Sequence, residues 1–450
     1  MTSHFYVIIY LLVIFVRNTL IKNFLRISSV PRGTGNEKGI SDFFVNIAKT
    51  NNLYYYQDEN YNLIIKKKGN IDGKPIGFQA HFDMVCRKTE ESSHDFTRDG
   101  IDVIIDENKV TARDTTLGAD QGVGLAIMLA LIESTDIIHP DLEFLFTVEE
   151  ETTFKGAVTF PYDKVTVKQI INLDNSYDNS VITASAGDIL NEYSFNIKFD
   201  EKNIPSYKIL IDNVPGGNSG DYVELSKNNA IALMASLLVN KGIYLKSING
   251  GSFENDIATW CEAIIQTDNN IGNLFDGLDI NITSVDDNLS LSITDTNLVL
   301  NEILNLNSGY ISKTATANLG VITTDDTQIK IKYLIRSTDA DELDKISNET
   351  KNLNNNFKVS EIYTDNVWKI KDNSELLKKY KEAYYVLFKE YPSEMTCNGG
   401  IEVSAIQGRL KDTDIICIGA NMENFHTVNE VTYIDSWIKE YKIILKILGN

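Results

Sequence analysis

A histidine and an aspartate end a short apolar segment in the motif QAHFDMV (79–85). His81 and Asp83 stand two residues apart, so an extended backbone places both side chains on the same side of the chain. There the carboxylate can accept a hydrogen bond from the imidazole and orient it toward a metal ion. By itself the pair also suits an ordinary loop, so other motifs must decide between the two interpretations.

Three further motifs place carboxylates near the ends of apolar segments: Asp120 in LGADQGVG (117–124), Glu149, Glu150 and Glu151 after LEFLFTV (142–148), and Asp174 in INLD. Asp120 also suits a helix N-cap, and the three glutamates also suit a solvated acidic cluster. However, adjacent carboxylates at a strand end repel one another, and a bound cation relieves that repulsion. The acidic motifs therefore favour a cation site if the fold brings them together.

Apolar periodicity predicts an α/β fold that gathers these motifs. We expect strands at 63–67, 75–80, 142–148, 169–173 and 414–420, and helices at 20–27, 39–50, 122–133 and 374–390. Such a sheet brings its strand ends to one edge, where ligands bind. His426, in ENFHTVNE (423–430), follows the last strand and supplies a second histidine. Two histidines, two aspartates and a glutamate form the ligand set expected for two zinc-like ions that share a carboxylate.

The pattern of residues changes near 187 and changes back near 368. Between these positions the strands are longer and alternating, and the chain is rich in Asn and Asp. We expect an apolar leader or extension at 1–17, a catalytic domain made of 18–186 and 369–450, and an inserted second domain at 187–368.

The leader contains an unbroken apolar run of 12 residues, FYVIIYLLVIFV (5–16). As a helix this run is about 18 Å long, whereas a bilayer core is about 30 Å thick. No basic residue precedes it and no small-residue cleavage site follows it, which disfavours a secretory signal. We expect an extension upstream of a domain that begins near Leu20, with membrane association or export through residues 5–16 as the alternative.

Composition excludes several function classes. The 450 residues include 63 acidic and 42 basic side chains, and the net charge of −21 repels nucleic-acid phosphates and anionic lipids. We therefore expect no nucleic-acid partner and no membrane contact apart from the apolar run. The four cysteines form no Cys-x-x-Cys pair and no dense framework, which is typical of reduced thiols in a cytoplasmic protein.

Together these motifs resemble the co-catalytic di-zinc metallopeptidase superfamily, and within it the aminoacyl-histidine (Xaa-His or beta-Ala-His) dipeptidase group. The likeness extends from about residue 24 to 448 and also includes HDFTRDG (94–100), PGGNSGD (215–221), LIRS (334–337) and GGIE (399–402). It implies an α/β catalytic domain, with a mixed sheet flanked by helices, and an inserted α+β domain that acts as a lid and dimer contact. It further implies a short peptide substrate, a cytoplasmic homodimer and two divalent ions, with zinc expected and manganese or cobalt as alternatives.

The resemblance implies the following roles: His81, Asp120 and Asp174 hold one ion; Asp120, Glu150 and His426 hold the other; Asp83 orients His81; Glu149 is the general base; and Asn218, Arg336 and Glu402 bind substrate. A bridging hydroxide between the ions would attack the scissile carbonyl, while Glu149 would pass the proton to the leaving amine. Arg336 would hold a substrate carboxylate through two N–H groups.

Two positions depart from the family pattern. The family has a histidine where PGGNSGD has Asn218, and a basic residue where GGSFEND (250–256) has Glu254. Asn218 carries no charge, and the loss of one oxyanion donor costs about 10²–10³ in rate. Metal-dependent dipeptide hydrolysis, with Xaa-His as one candidate substrate, is the leading prediction. The alternatives are an N-acyl amino acid deacylase or other aminopeptidase, and a catalytically weak peptide- or metal-binding homologue.

Overall fold

The computed structural model describes residues 2–220, 222–275, 280–353 and 356–450, and the side chains of residues 2–13 and 273 lie outside that description. The chain divides into two compact units. The first comprises Met1–Ala184, Lys369–Thr396 and Glu402–Asn450, and the second comprises Ser185–Trp368 and Cys397–Ile401. Each unit has its own buried apolar core.

The first unit is built on a nine-stranded mixed sheet. In spatial order its strands are Tyr54–Gln57, Leu63–Lys67, Leu142–Thr147, Ile76–His81, Gln169–Asn172, Asp414–Cys417, Ser180–Ser185 and Trp368–Lys369, with Ser393–Cys397 paired to Ser180–Ser185. The four strands from Leu142–Thr147 to Asp414–Cys417 are parallel and buried along their whole length, which explains their continuous apolar runs. Their carboxyl ends therefore meet at one edge of the sheet.

Helices and a smaller sheet complete the first unit. The helices are Thr2–Ser28, Lys38–Thr50, Ala119–Glu133, Glu150–Thr153, Lys155–Thr159, Glu375–Phe388, Val403–Arg409 and Ile434–Leu448, with a 3₁₀ turn at Tyr162–Lys164. The smaller sheet contains Met422–Glu423, Val431–Tyr433, Lys109–Ala112 and Val103–Asp106. Lys38–Thr50 buries Ile40, Phe44 and Ala48, whose spacing of four places them on one helix face.

The first helix is longer than the sequence predicted. It begins at Thr2 and continues to Ser28, whereas we expected a helix at 20–27 after a separate leader. Leu20, Phe24 and Ile27 recur every three or four residues and are buried in the core of the first unit. The side chains of the apolar run up to residue 13 lie outside the described part. Among the described residues, none of the helices combines the length and apolarity needed to cross a bilayer.

The second unit is an antiparallel sheet covered by helices. In spatial order its main strands are Asn281–Val285, Ser206–Ile211, Cys261–Gln266, Tyr244–Gly250, Ala315–Thr324, Gln328–Ser337, Gly187–Asn196 and Lys358–Asp365, with Gly309–Tyr310 paired to Ala315–Thr324 and a separate pair of Asp200–Glu201 and Leu289–Ser290. Its helices are Ala230–Leu238, Ile271–Leu274, Ile293–Asn305 and Ala340–Lys351, with a 3₁₀ helix at Val223–Asn228. Asn229 caps Ala230–Leu238 through its side-chain oxygen. The predicted α/β class with a second α+β unit is confirmed.

Candidate metal centre

Three of the predicted ligands meet at the carboxyl edge of the parallel strands. His81 ends one strand, Asp174 follows the neighbouring strand, and Asp120 lies in the first turn of Ala119–Glu133. The Nε2 atom of His81 lies 3.2 Å from Asp120 Oδ1 and 4.0 Å from Asp174 Oδ1. Their potential ligand atoms all lie within 4.8 Å of one another, a spacing that suits one metal ion.

Asp120 also belongs to a second group, with Glu151 and His426. His426 lies in the loop between Met422–Glu423 and Val431–Tyr433 of the smaller sheet. Its Nε2 atom lies 3.0 Å from Glu151 Oε2 and 3.3 Å from Asp120 Oδ2. Asp120 thus presents one carboxylate oxygen to each histidine, which is the arrangement that a carboxylate shared by two ions requires.

The chain turns directly after the strand Leu142–Thr147. Glu149 has a left-handed backbone with φ of +51°, and a short helix begins at the next residue. The Glu149 carboxylate lies 2.6 Å from Lys155 Nζ and belongs to none of the groups of potential ligands among the described residues. This placement does not support the prediction that Glu149 is the general base, because its carboxylate is paired with a lysine that is nearly half exposed.

The next two glutamates do lie among the potential ligands. Glu150 shares a group with His81 and Glu151, whereas Glu151 also shares a group with Asp120 and His426. We expected Glu150 in that second group, and the structure has the next residue of the chain there instead. Three identical side chains in a row leave the position of the turn undetermined, so the sequence alone could not fix this register.

Asp83 is fully buried behind His81. Its Oδ1 atom lies 3.3 Å from His81 Nδ1 and accepts the N–H of Glu150 at 3.0 Å, while its Oδ2 atom accepts the N–H of Glu151 at 3.2 Å. Burial would raise the pKa of Asp83, but His81 and these N–H groups hold the pKa below its ordinary value. One carboxylate therefore orients the imidazole and also holds the first turn of the helix that carries the glutamates.

Buried carboxylates concentrate at this edge of the sheet. Burial raises the pKa of Asp174 well above its ordinary value, and the neighbouring Asp120 carboxylate raises it further. Burial likewise raises the pKa of Glu150 well above the usual range. Burial would lower the pKa of His426, but the Glu151 and Asp120 carboxylates raise it to about 11. The protons held here are those that a bound cation displaces when imidazoles and carboxylates become ligands.

The side chains present fit a pair of divalent cations. Imidazole and carboxylate groups bind zinc, and the same set accepts manganese or cobalt. The Oε1 atom of Glu151 is buried and has no hydrogen-bond partner among the described residues. Because an unpaired buried oxygen is costly, this atom points to a ligand that the chain itself does not supply.

One neighbour of the ligands was not identified from the sequence. The amide of Gln121 donates a hydrogen bond to the carboxylate of Asp174, and Gln121 is buried. It orients the second aspartate of the first group in the way that Asp83 orients His81. The available signal was its position, because Gln121 directly follows Asp120 in LGADQGVG.

Glu402 lies inside the first unit, between two strands. It is fully buried and accepts hydrogen bonds from the Gln79 amide and from Thr147 Oγ1, the latter at 2.9 Å. Burial raises the pKa of Glu402 to about 7. Gln79 and Thr147 belong to two adjacent parallel strands, so Glu402 supports these strands, and its position does not support the predicted contact with substrate.

Asn218 and Arg336, the other two candidates for substrate binding, lie in the second unit. The Asn218 side chain accepts the N–H of Gly220 at 2.8 Å. Arg336 is buried, with its Nε atom 3.2 Å from Asp188 Oδ1 and its Nη1 atom donating to Ser219 Oγ at 2.6 Å. The guanidinium of Arg336 is therefore already engaged, and it supports the loop that carries Asn218.

The second departure from the family pattern has a basic neighbour. The Glu254 carboxylate lies 3.4 Å from Lys332 Nζ, and both side chains are about one-third exposed. A cation thus accompanies the position at which the resemblance implies a basic residue. A pair as exposed as this contributes little to stability.

Comparison with known proteins gives consistent matches. The chain matches the profile of peptidase family M20/M25/M40 over residues 77–450. It is 27% identical to the cytosol non-specific dipeptidase of Escherichia coli strain K12, over 92% of this chain and 93% of that protein. Its fold is similar to that of an aminoacylhistidine dipeptidase from Vibrio alginolyticus, with a TM-score of 0.75 and 24% identity over 96% of both chains. It is also similar to a tripeptidase from Staphylococcus aureus, with a TM-score of 0.60 and 16% identity over 96% of this chain and 97% of the other.

Proposed function

This chain belongs to peptidase family M20/M25/M40, and we propose from this premise that it hydrolyses short unblocked dipeptides with two divalent metal ions. The observation that carries the proposal is the pair of ligand groups that share Asp120. The E. coli relative is named a dipeptidase, which supports the choice of substrate class. The buried, ligand-rich edge of the sheet supports chemistry at that place.

We assign one ion to His81, Asp120 and Asp174, and the other to Asp120, Glu151 and His426, which are the two of the three groups of potential ligands that share Asp120. Two divalent ions in such a site lower the pKa of water and polarise a carbonyl oxygen. Asp83 positions His81, and its contacts with the Glu150 and Glu151 N–H groups position the turn.

We assign the role of general base to Glu150 in place of Glu149. Glu150 lies beside His81 and Glu151, but it is absent from the group around His426. Glu150 is a member of neither group assigned to an ion, and a carboxylate in that position can take the proton of the attacking water and pass it to the nitrogen of the leaving amine. Glu149 is paired with Lys155 and takes no part in this scheme.

The experiment that tests these roles compares the three glutamates. Glu149→Gln, Glu150→Gln and Glu151→Gln would be measured for metal content and for hydrolysis of Ala-His, beta-Ala-His, Leu-Gly and N-acetyl amino acids. We expect Glu150→Gln to keep two metals and lose about 10²–10⁴ in kcat, the usual contribution of a general base. We expect Glu151→Gln to lose metal and Glu149→Gln to behave like wild type.

Two results would change the proposal. If Glu149→Gln keeps its metals and loses turnover while Glu150→Gln does not, the general base is Glu149 and the assignment of Glu150 is wrong. If wild type cleaves only N-acetyl amino acids, the protein is a deacylase; if it binds metal and cleaves nothing, it is a binding protein.

Three finer properties are also proposals. Zinc is the first metal to test, because imidazole and carboxylate ligands suit it, although they do not exclude manganese or cobalt. The E. coli relative is named a cytosol dipeptidase, which supports a cytoplasmic location. The strands Asn281–Val285 and Lys358–Asp365 end the sheet of the second unit, and such edges support a homodimer through this unit.

A further inference from the structure

Arg32 connects two of the loops that carry potential ligands. It is almost completely buried, and its Nη1 atom donates hydrogen bonds to the carbonyl oxygens of Phe82 at 2.9 Å and Asp83 at 2.7 Å. Its Nη2 atom donates to the carbonyl oxygen of Gly118, two residues before Asp120. A single guanidinium therefore joins the strand end after His81 to the loop before Asp120.

Glu430 holds the same loop by accepting hydrogen bonds from backbone N–H groups of the loop. Its carboxylate is buried and accepts hydrogen bonds from the backbone N–H groups of Leu117 at 2.7 Å, Gly118 at 2.9 Å and Ala119 at 2.7 Å, with Asp120 at 3.4 Å. Glu430 lies four residues after the potential ligand His426. The loop before Asp120 is thus tied to the loop that carries His426.

Two glycines make room for the guanidinium. Gly118 has a φ of +68°, and a Cβ atom there would lie 2.7 Å from Arg32 Nη2. A Cβ atom on Gly122 would lie 2.9 Å from the same nitrogen. These contacts are closer than real Cβ atoms show, so Gly118 and Gly122 leave the space in which Arg32 approaches the backbone, and Gly118 also leaves space for Met84.

We propose that Arg32 and Glu430 are positioning residues that clamp the loop before Asp120 and thereby hold His81, Asp120 and His426 in register for metal binding. The expected effect on catalysis rests on the proposed function, but the hydrogen bonds that form the clamp do not depend on it. Opposite charges grip the carbonyl and the N–H of the same residue, Gly118. Neither side chain belongs to the groups of potential ligands, so both act through the residues they hold.

The test uses Glu430→Gln and Arg32→Lys, with Glu440→Gln as the matched control. Glu440 is a buried glutamate of the same unit whose carboxylate oxygens have no hydrogen-bond partner among the described residues. We would measure the dissociation constant of zinc by competition with a chelating indicator, kcat and KM on a dipeptide, and hydrogen exchange of the amides at 117–120 in chelator-treated protein. Glu430→Gln removes the charge and turns an NH₂ group toward backbone N–H groups, whereas Arg32→Lys replaces the fork of donors with a single ammonium.

We expect zinc to bind about 10–100-fold more weakly in Glu430→Gln and Arg32→Lys, the usual effect of losing a residue that orients ligands. In these two variants we expect kcat to fall with little change in KM and exchange at 117–120 to become faster. Glu440→Gln should keep the zinc affinity and kcat of wild type, without faster exchange at 117–120. If Glu430→Gln does not fold, Arg32→Lys alone decides the question. Unchanged zinc affinity and exchange in a folded variant, or equal changes in Glu440→Gln, would overturn the clamp. If wild type binds no zinc, the proposed function fails, and the exchange measurement still decides the clamp.

Discussion

Buried charges are arranged in opposite ways in the two units. At the carboxyl edge of the first unit, carboxylates gather around two histidines. In the second unit, the buried guanidinium of Arg336 lies 3.2 Å from the Asp188 carboxylate and donates to Ser219. Clustered carboxylates suit an added cation, whereas in the second unit the chain itself supplies the opposite charge.

This difference indicates which polar residues to associate with chemistry. Asp120 and Asp188 look alike in the sequence, since each is an acid among small or apolar residues. Of these two, Asp120 has two histidines and further carboxylates within ligand distance, whereas Asp188 belongs to none of the groups of potential ligands in the described chain. A buried charge that is paired with an opposite charge indicates a structural role, whereas buried like charges that cluster together indicate a ligand-binding site.

Removing the shared carboxylate should have the largest effect. In Asp120→Ala both groups lose a member, so we expect loss of both metals and a fall in dipeptide hydrolysis of about 10³-fold or more, since the several kcal/mol that metal ions contribute to the transition state are lost. Elemental analysis and steady-state kinetics on the same preparation measure both effects. A variant that still binds two metals would show that Asp120 is not the shared ligand, and the contrast between the units would lose its basis.

Breaking the pair in the second unit should have a smaller effect, on stability. In Asp188→Ala the Arg336 guanidinium stays buried without its carboxylate, which typically costs about 3–5 kcal/mol in the free energy of unfolding. Urea denaturation with chelator present measures this loss. We expect the metal content to equal that of wild type. A loss of metal in Asp188→Ala, or a stability change below about 1 kcal/mol, would contradict the view that this charge pair is structural.

The fold of the first unit could largely be predicted from the sequence. The strand Leu142–Thr147 agrees with the predicted bounds of 142–148 to within one residue, because parallel buried strands read as continuous apolar runs. In the helix Ala119–Glu133 the backbone of Asp120 and Gln121 is not helical, so the regular part of the helix begins at residue 122, as predicted. The first helix was predicted too short. Residues 5–16 are apolar throughout, so they show no helical periodicity from which the start of the helix could be located.

The sequence predicted which residue types form the site, but not which of the three consecutive glutamates takes each position. Strand-end position identified His81 and Asp174, because the end of an apolar run is visible in the sequence. The turn at Glu149 is not visible, and so the proposed general base and ligand each lie one residue after the position expected from the sequence. Arg32 and Glu430 were missed as supports, since both contact the backbone of residues far away in the sequence, and no local pattern marks such contacts.

A buried acid outside the groups of potential ligands tests whether burial alone is enough to make a site. Glu440 lies in Ile434–Leu448, and burial raises its pKa well above the ordinary value, with Asp178 raising it further. Below the ordinary glutamate pKa of about 4.3, the folded and unfolded chains both hold this proton. As the pH rises above that value, the unfolded chain releases the proton while the folded chain retains it, so folding stability falls.

Glu440→Gln carries no proton to release and should escape this loss. We expect its Tm to exceed that of wild type by a few degrees at pH 8 and the difference to shrink toward pH 4.5, since about 1 kcal/mol shifts Tm by 2–4 °C in a domain of this size. Thermal melts of both proteins across this range, with chelator present so that metal release does not contribute, measure the difference. Metal content at pH 7.5 should be unchanged, because Glu440 belongs to none of the groups of potential ligands in the described chain. A Tm difference that is constant with pH would show that Glu440 is ionised in the folded protein. Altered metal content would mean that Glu440 belongs to the metal site and not to the surrounding structure.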